Sequence, residues 1–285
     1  MIGFFNVLKP VGYSSGSVVA SVRRFLISNG YITKSTKVGH MGTLDPGGTG
    51  VLPIAVGKAT RLFDYFGDKV KSYRAEFVFG KETDTLDSYG RTTAKGRDVT
   101  GDEIRLAASR LLGTISQLPP QFSAKSVGGV RAYDLARQGK AVELKPATVT
   151  IYSLDVVSVS GSRAVVDVTC SAGTYVRSIA RDMAALMDTV GYMSYIIRTA
   201  SGAFRLEDAV TVGELSPEVL VPVDEVVRLP YVDDLTEKEA YYLKNGLPRR
   251  SEREDGLYYV REGGVIIGIA EQKDGYLTYR TRLDD

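Results

Sequence analysis

The segment at residues 39–53, GHMGTLDPGGTGVLP, constrains the fold more than any other part of the chain. It contains five glycines and two prolines in fifteen residues. Glycine adopts backbone angles that other residues avoid, and proline cannot donate a hydrogen bond within a helix or a sheet. We therefore predict that no regular helix or strand runs through this segment, and that it forms a rigid loop that a ligand approaches closely.

Asp45, within this loop, is the one acidic residue among residues 1–63, which also carry seven basic residues. A lone carboxylate in a rigid loop of a basic region suits nucleophilic or electrostatic chemistry on an anionic substrate. Two plainer interpretations stay open: Asp-Pro-Gly-Gly is a common turn, and basic runs are often solvated faces. Residues 231–285 differ, with twelve acids and nine bases, a net charge of −3.

A phosphate-binding loop is the main competing interpretation, because VGKAT at residues 56–60 is similar to the end of a Walker A sequence. The spacing excludes it. That pattern needs glycine where this chain has Leu52 and serine or threonine where it has Ala59.

The composition is that of a globular protein of 285 residues, with 44% hydrophobic and 25% charged residues. No uninterrupted apolar run approaches the ~18 residues needed to span a bilayer, and the N-terminus lacks the pattern of a secretory signal. One cysteine, Cys170, and one histidine are too few for a disulfide or a structural zinc site. We expect a cytoplasmic protein with no bound metal and no membrane contact.

The hydrophobic periodicity predicts an α+β fold, because helices and strands mix without a regular βαβ repeat. Helices are predicted at residues 17–28, 102–112, 132–138, 175–187 (with Thr174 as N-cap) and 236–244. Strands are predicted at residues 73–79 and 163–170, the former with alternate residues buried. Beyond residue 228, short apolar runs separated by glycines indicate a small β-barrel or sandwich, so we predict domains at 1–228 and 229–285.

Several separated motifs, all in the same order, resemble those of the TruB family, the bacterial tRNA pseudouridine-55 synthases. GHMGTLDPGGTGVLPIAVGKATRL resembles the active-site motif, with Asp45 at its aspartate. KPVGYSS, KSYRAEF, GKETDTLDSYG and CSAGTYVRSIARDM are similar to four further motifs. QLPPQFSAKSVGGVRAYDLARQG, residues 117–139, resembles the RNA-contacting insertion, although Ser126 stands where relatives often carry lysine. The tail is similar in placement to a PUA-type RNA-binding domain.

This resemblance implies a pseudouridine synthase fold, with a mixed, mainly antiparallel sheet flanked by helices and a small C-terminal β-rich PUA-like domain. It also implies the site residues: Asp45 as catalytic carboxylate, Arg177 as its ion-pair partner, Tyr73 stacked on the flipped base, Tyr175 as a second pocket tyrosine, Ile196 as an apolar wall, His40 holding the RNA loop without titrating, and Asp84 as a pocket carboxylate. Taken alone, Tyr73 and Tyr175 fit core packing better than a pocket role, Ile196 fits an ordinary core position, and Asp84 fits a turn equally well. A cation in the first turn of a helix is unfavourable by about 0.3–1 kcal/mol, which makes a carboxylate partner for Arg177 more plausible than chance.

The implied reaction converts uridine 55 in the T-loop of tRNA to pseudouridine, moving the glycosidic bond from N1 to C5. It needs no cofactor, and the base must be flipped out of the folded loop. The expected partner is tRNA, through its T-arm and elbow, and the expected state is a monomer. Whether the aspartate acts as nucleophile or in a glycal-type pathway stays open, as do two other classes: a non-catalytic RNA-binding or tRNA-folding protein, and a ribosyl hydrolase or transferase.

Overall fold

The structure, a computed structural model, describes residues 1–66, 69–123, 126–127, 130–131 and 143–284. The helix predicted at residues 132–138 lies outside this part, as does the side chain of Ser126. No helix in the described ranges is long and apolar enough to cross a bilayer. Strands and helices mix irregularly, so the predicted α+β class is confirmed.

The helices and strands have the following bounds, in chain order. The strands are β1 (Gly3–Lys9), β2 (Val38–His40), β3 (Thr49–Val56), β4 (Lys71–Phe79), β5 (Lys81–Thr83), β6 (Thr92–Lys95), β7 (Gly113–Gln117), β8 (Ser126–Val127), β9 (Val130–Arg131), β10 (Ala147–Ser160), β11 (Arg163–Cys170), β12 (Gly191–Ser201), β13 (Phe204–Arg205), β14 (Tyr231–Val232), β15 (Arg249–Arg250), β16 (Gly256–Glu262), β17 (Val265–Lys273) and β18 (Tyr276–Arg282). The α-helices are α1 (Ser15–Ser28), α2 (Gly101–Arg110), α3 (Val176–Leu186), α4 (Val223–Val226) and α5 (Glu237–Lys244), and the 3-10 helices are Gly57–Tyr65, Leu206–Asp208, Val212–Glu214 and Pro217–Val219.

The main sheet has nine strands within the described residues, in the order β1-β3-β12-β4-β11-β10-β7, with β2 paired to β3 and β13 paired to β12. Its pairings are antiparallel except for β3 with β12, so the sheet is mixed and mainly antiparallel, as predicted. The parallel pair joins Thr49, just after the glycine-rich loop, to Ile197. The sheet therefore brings two segments that are far apart in the sequence to the same point.

Helices α2 and α3 pack against the central strands of this sheet. Their buried residues share one cluster with β4, whose Tyr73, Ala75, Phe77 and Phe79 are all buried. The alternation predicted for β4 is confirmed on this face; Val78, predicted on the opposite side, is buried as well. Burial of this apolar surface is the main stabilisation of the fold.

The starts predicted for α1, α2, α3 and α5 each differ from the structure by one or two residues, and α1 and α3 show the reason. Helix α1 begins two residues earlier, because the Ser14 side chain accepts a hydrogen bond from the Ser17 backbone N–H at 3.0 Å and caps the helix. Helix α3 begins at Val176, and its N-cap residue is Tyr175, which makes no side-chain cap. Thr174 is not the cap; its hydroxyl lies 3.4 Å from that of Ser171 in the preceding turn.

Regular structure enters both ends of the glycine-rich segment, so the prediction that none runs through it is wrong there. Strand β2 includes its first two residues and β3 its last five. Pro53 lies within β3, and its carbonyl accepts the Met41 N–H at 2.9 Å. Gly50 has a φ of +106°, and a Cβ there would lie 2.3 Å from the Arg198 carbonyl oxygen. The part between the strands, residues 41–48, forms the predicted loop.

The C-terminal strands form one five-stranded sheet, in the order β14-β16-β17-β18-β15 among the described residues. The β-rich character predicted for this part is confirmed, although the arrangement is a single sheet. This sheet has a small core of its own, but Tyr259, Ile269 and Leu283 belong to a cluster that also contains Phe4 of β1. The boundary at residue 228 stays a prediction, because buried contacts cross it.

Candidate active site

Asp45 and Arg177 form an ion pair at the edge of the main sheet. The Arg177 Nε donates to Asp45 Oδ2 at 2.9 Å; the Arg177 side chain is 6% exposed and that of Asp45 is 41% exposed. The glycine-rich loop presents Asp45, and the first turn of α3 presents Arg177. The pair therefore combines a buried cation with a carboxylate that solvent or a ligand can reach.

The remaining nitrogens of the Arg177 guanidinium also have partners. Nη1 donates to the Thr85 carbonyl at 2.9 Å, and Nη2 donates to the Phe122 carbonyl at 3.0 Å. Asp87 Oδ2 lies 3.6 Å from Nη1, so a second carboxylate shares the cation. These acceptors fix the plane of the guanidinium and offset the cost of a cation near the positive end of a helix.

Asp87, which the sequence analysis did not single out, is the carboxylate of the GKETDTLDSYG loop that the structure brings to Arg177. Its Oδ1 accepts from the Thr85 hydroxyl at 2.6 Å and from the Tyr89 N–H at 3.0 Å. Asp84 is exposed, and its Oδ1 accepts the Arg91 N–H at 2.8 Å. No contact within the described ranges joins Asp84 to Asp45 or Arg177. Asp84 thus takes part in the turn, the alternative that its sequence left open.

Two fully buried cations bind the backbone of the loop on either side of Asp45. Lys9 Nζ donates to the Gly48 carbonyl at 2.5 Å and to the Pro46 carbonyl at 3.3 Å. Arg198 donates to the carbonyls of Gly42 and Thr43 at 3.2 Å each, and through Nε to Val51 at 2.6 Å. Backbone carbonyls buried without donors would be costly, so both cations stabilise this one conformation.

Ser15 also fixes the loop, at the residue directly before Asp45. Its buried hydroxyl donates to the Leu44 carbonyl and accepts the Leu44 N–H, both at 2.8 Å. The Gly12 N–H donates to the Pro46 carbonyl at 2.8 Å. The KPVGYSS segment therefore supports the glycine-rich loop, a role that its sequence alone did not reveal.

The cations around the loop have perturbed pKa values. Burial lowers the pKa of Lys9 to about 8; the negative charge of Asp45 opposes this shift, and Arg198 adds to it. Burial, with Arg198, likewise lowers the pKa of Lys71 to about 8. The positive charge near Asp45 is therefore dense, and part of it can be lost just above neutral pH.

His40 lies in β2, at the start of the loop, as a neutral imidazole. Burial lowers its pKa, and the positive charges of Arg198 and Lys71 lower it further. The Gly42 N–H points at His40 Nδ1 at 3.4 Å, which leaves that nitrogen as an acceptor. A neutral ring agrees with a positioning role that needs no titration.

Tyr73 and Ile196 lie in the buried layer next to the loop, on the neighbouring strands β4 and β12. Burial raises the pKa of Tyr73 to about 12, and the nearby positive charge of Arg198 opposes this shift. Ile196 lies against Gly48. Both residues also belong to the main hydrophobic cluster, which agrees with the core packing that each fits when taken alone.

Tyr175 is half-buried at the N-cap of α3. Its backbone N–H donates to Gln117 Oε1 at 2.8 Å, and its carbonyl accepts from Gln117 Nε2 at 3.3 Å. These bonds fix the turn that presents Arg177.

No group of three or more metal-ligating side chains occurs in the described part of the chain.

Comparison with known proteins shows the family. TruB family pseudouridylate synthase (N terminal domain) matches residues 31–176. The tRNA pseudouridine synthase B of Alkaliphilus oremlandii is 40% identical, over 85% of this chain and 80% of its own length. The tRNA pseudouridine synthase B of Caldanaerobacter subterraneus subsp. tengcongensis is 39% identical over 94% of each chain.

Solved structures agree on the fold. A chain of a Cbf5-Nop10-Gar1 complex aligns with a TM-score of 0.70 at 23% identity, covering 99% of this chain and 84% of that chain. A chain of an H/ACA RNP bound to a substrate RNA containing 2'-deoxyuridine gives the same TM-score at 20% identity, covering 99% and 85%. The architecture is that of a pseudouridine synthase. The chain belongs to the TruB family of pseudouridylate synthases, which makes it an isomerase.

Proposed function

We propose that the protein isomerises uridine 55 in the T-loop of tRNA to pseudouridine. The observation that carries the proposal is the Asp45–Arg177 pair, a reachable carboxylate on a buried cation at 2.9 Å. The relatives named tRNA pseudouridine synthase B support tRNA as the substrate. Position 55 rests on the motif resemblance described above.

In the proposed reaction, the N1–C1′ bond of uridine breaks and a C5–C1′ bond forms. C5 then loses its proton and N1 gains one, so no oxidant, reductant or cofactor is consumed. Asp45 acts either as nucleophile at C1′ or as base toward the ribose, and both pathways need its ionised form. Arg177 stabilises that charge and fixes the direction of the carboxylate.

The proposed pocket accepts a flipped base, with Tyr73 stacking on it, Ile196 as an apolar wall and Tyr175 nearby. Flipping costs a few kcal/mol, and aromatic stacking can return about 1–3 kcal/mol per base. His40 would contact the reorganised loop as a neutral ring. We keep Asp84 as a weaker candidate than Asp87, whose Oδ2 lies 3.6 Å from Arg177 Nη1.

The T-arm and elbow would bind along the basic N-terminal region and residues 229–285, proposed as a PUA-like RNA-binding domain. We infer a monomer that acts in the cytoplasm on tRNA. Because phosphate contacts dominate such affinity, tRNA binding should weaken steeply as salt is raised. A flat salt response would contradict this binding surface.

The test is to incubate the protein with an unmodified tRNA transcript and map carbodiimide-reactive pseudouridine by primer extension. We expect product at uridine 55 that disappears with Asp45→Asn while RNA binding persists. Asp64→Asn, which changes an exposed carboxylate outside the site, is the matched control and should turn over normally. Turnover by Asp45→Asn would refute the mechanism.

Two other outcomes identify the competing functions. Binding of tRNA without product, from wild-type protein, would indicate a tRNA-folding or RNA-binding protein. Release of free uracil would indicate a ribosyl hydrolase that uses the same carboxylate.

A further inference from the structure

Tyr89 is a strongly exposed aromatic residue beside the loop that carries Asp45. Its side chain is 69% exposed. The ring lies directly on Gly47, two residues after Asp45, where a Cβ would lie 2.2 Å from Tyr89 Cε2. The absence of a side chain at Gly47 therefore makes room for this ring at the outer edge of the site.

The backbone of Tyr89 is fixed relative to the ion pair. Its N–H donates to Asp87 Oδ1 at 3.0 Å, and Asp87 Oδ2 lies 3.6 Å from Arg177 Nη1. Gly90, the next residue, has no room for a Cβ, which would lie 2.3 Å from the Thr85 hydroxyl. The turn thus has little freedom, and it holds a large apolar surface in solvent.

We propose that Tyr89 is a stacking platform for the base of a nucleotide next to the target uridine. This proposal rests on the proposed function, because it needs an RNA substrate. An exposed aromatic ring at the edge of a nucleic-acid site is suited to stack an unpaired base, since every base has a π-face. Gly47 meets the ring at its Cε2 edge, so this contact does not cover a face on which a base could stack.

The position of Tyr89 favours a neighbouring nucleotide over the target itself. Tyr73 and Ile196, the proposed pocket walls, are 7% and 6% exposed and belong to the buried layer. Tyr89 lies on the outside of the same loop, at Gly47. When a flipped uridine reaches Asp45, the next nucleotide of the RNA would stay outside the pocket, where the Tyr89 ring is exposed.

The first experiment compares full-length variants on an unmodified tRNA transcript, with KM and kcat for pseudouridine formation. Tyr89→Leu covers Gly47 with an apolar group but cannot stack, so we expect KM to rise about 5- to 150-fold with a smaller change in kcat. Tyr89→Phe keeps the ring and should recover most of the loss. Tyr152→Leu, at an exposed tyrosine of β10, is the matched control and should match wild type.

The second experiment detects the contact directly. Transcripts carrying 5-iodouridine on either side of uridine 55 are irradiated with the protein, and the cross-linked peptide is identified by mass spectrometry. We expect a cross-link to Tyr89 that disappears in Tyr89→Leu. A purely structural ring would give no such cross-link.

Three results would overturn the proposal: an unchanged KM in Tyr89→Leu, a loss confined to kcat, or cross-links only to peptides that lack Tyr89. Failure of the proposed function is distinct from these, since wild-type protein would then form no pseudouridine at all.

Discussion

Arg177→Lys keeps the positive charge of the Asp45–Arg177 pair but removes the planar guanidinium that connects its partners. The guanidinium donates to Asp45 at 2.9 Å, to the Thr85 carbonyl at 2.9 Å and to the Phe122 carbonyl at 3.0 Å. These acceptors lie around a rigid plane, whereas lysine offers one nitrogen on a flexible stem. At least one of these partly buried carbonyls therefore loses its donor.

The expected losses of stability and of reaction rate in Arg177→Lys follow from these contacts. A hydrogen bond from a charged group contributes about 1.5–3 kcal/mol, so losing one carbonyl contact should lower the free energy of unfolding by about that amount. We leave Asp45 out of this estimate, because its side chain is 41% exposed and solvent can replace the contact. For turnover, a displacement of the carboxylate by about 1 Å costs on the order of a hundredfold in rate.

Urea unfolding followed by circular dichroism measures the loss of stability in Arg177→Lys, and single-turnover pseudouridine formation measures the loss of rate. Arg74→Lys is the matched control: Arg74 makes two 2.7 Å bonds to Asp167, but the side chains are 50% and 41% exposed. Such a surface pair contributes only about 0–1 kcal/mol. Equal losses of stability in the two variants, or a rate for Arg177→Lys within about twofold of wild type, would refute the reasoning.

Three further predictions concern the support of the loop. Gly50→Ala should lower the free energy of unfolding by more than about 3 kcal/mol or leave no soluble protein, because the new Cβ meets the Arg198 carbonyl at 2.3 Å with φ at +106°. Gly39→Ala, with no atom within 4 Å, is its control, and equal urea midpoints would contradict the prediction. Tyr73→Phe removes a buried hydroxyl and should lower kcat more than tRNA affinity; a comparable loss of tRNA binding would count against its pocket role. In the folded protein the pKa of Lys71 falls from 10.5 to about 8, so between these pH values the unfolded chain binds more protons than the folded one. The free energy of unfolding of the wild type should therefore rise from pH 8 to 10.5, by up to about 3 kcal/mol relative to Lys71→Met. If the urea midpoints of the wild type and Lys71→Met change in parallel across this pH range, the lowered pKa of Lys71 is excluded.

The sequence predicted the parts of the fold and site that local patterns encode. Alternation in β4 located a strand with one face in the main hydrophobic cluster, and the charge distribution marked Asp45. The ion-pair geometry agrees with the motif resemblance, although the roles of the two residues stay proposals. Helix ends were displaced where a different residue caps the helix, as Ser14 does for α1.

The support beneath the loop could not be predicted, because it depends on contacts between distant segments. Nothing in the neighbourhood of Lys9, Ser15 or Arg198 shows that each binds backbone atoms of the loop. The sequence did not single out Asp87 for a related reason. Both lie in one turn, and the turn geometry decides which carboxylate faces Arg177.

The support of the loop from both ends of the chain has a consequence during synthesis on the ribosome. Lys9 and Ser15 are made before the loop, but Arg198 contacts it from 147 and 155 residues farther along. At about 5–20 residues per second, Arg198 is added roughly 8 to 30 s after the loop. Arg177 is added roughly 7 to 26 s after Asp45, which lacks this partner until then. Strand β3 has an unpaired edge on the side that β12 later covers. Catalytic competence is therefore acquired late in translation, and truncated chains that end before Arg198 should be inactive and exposed to chaperones and proteases.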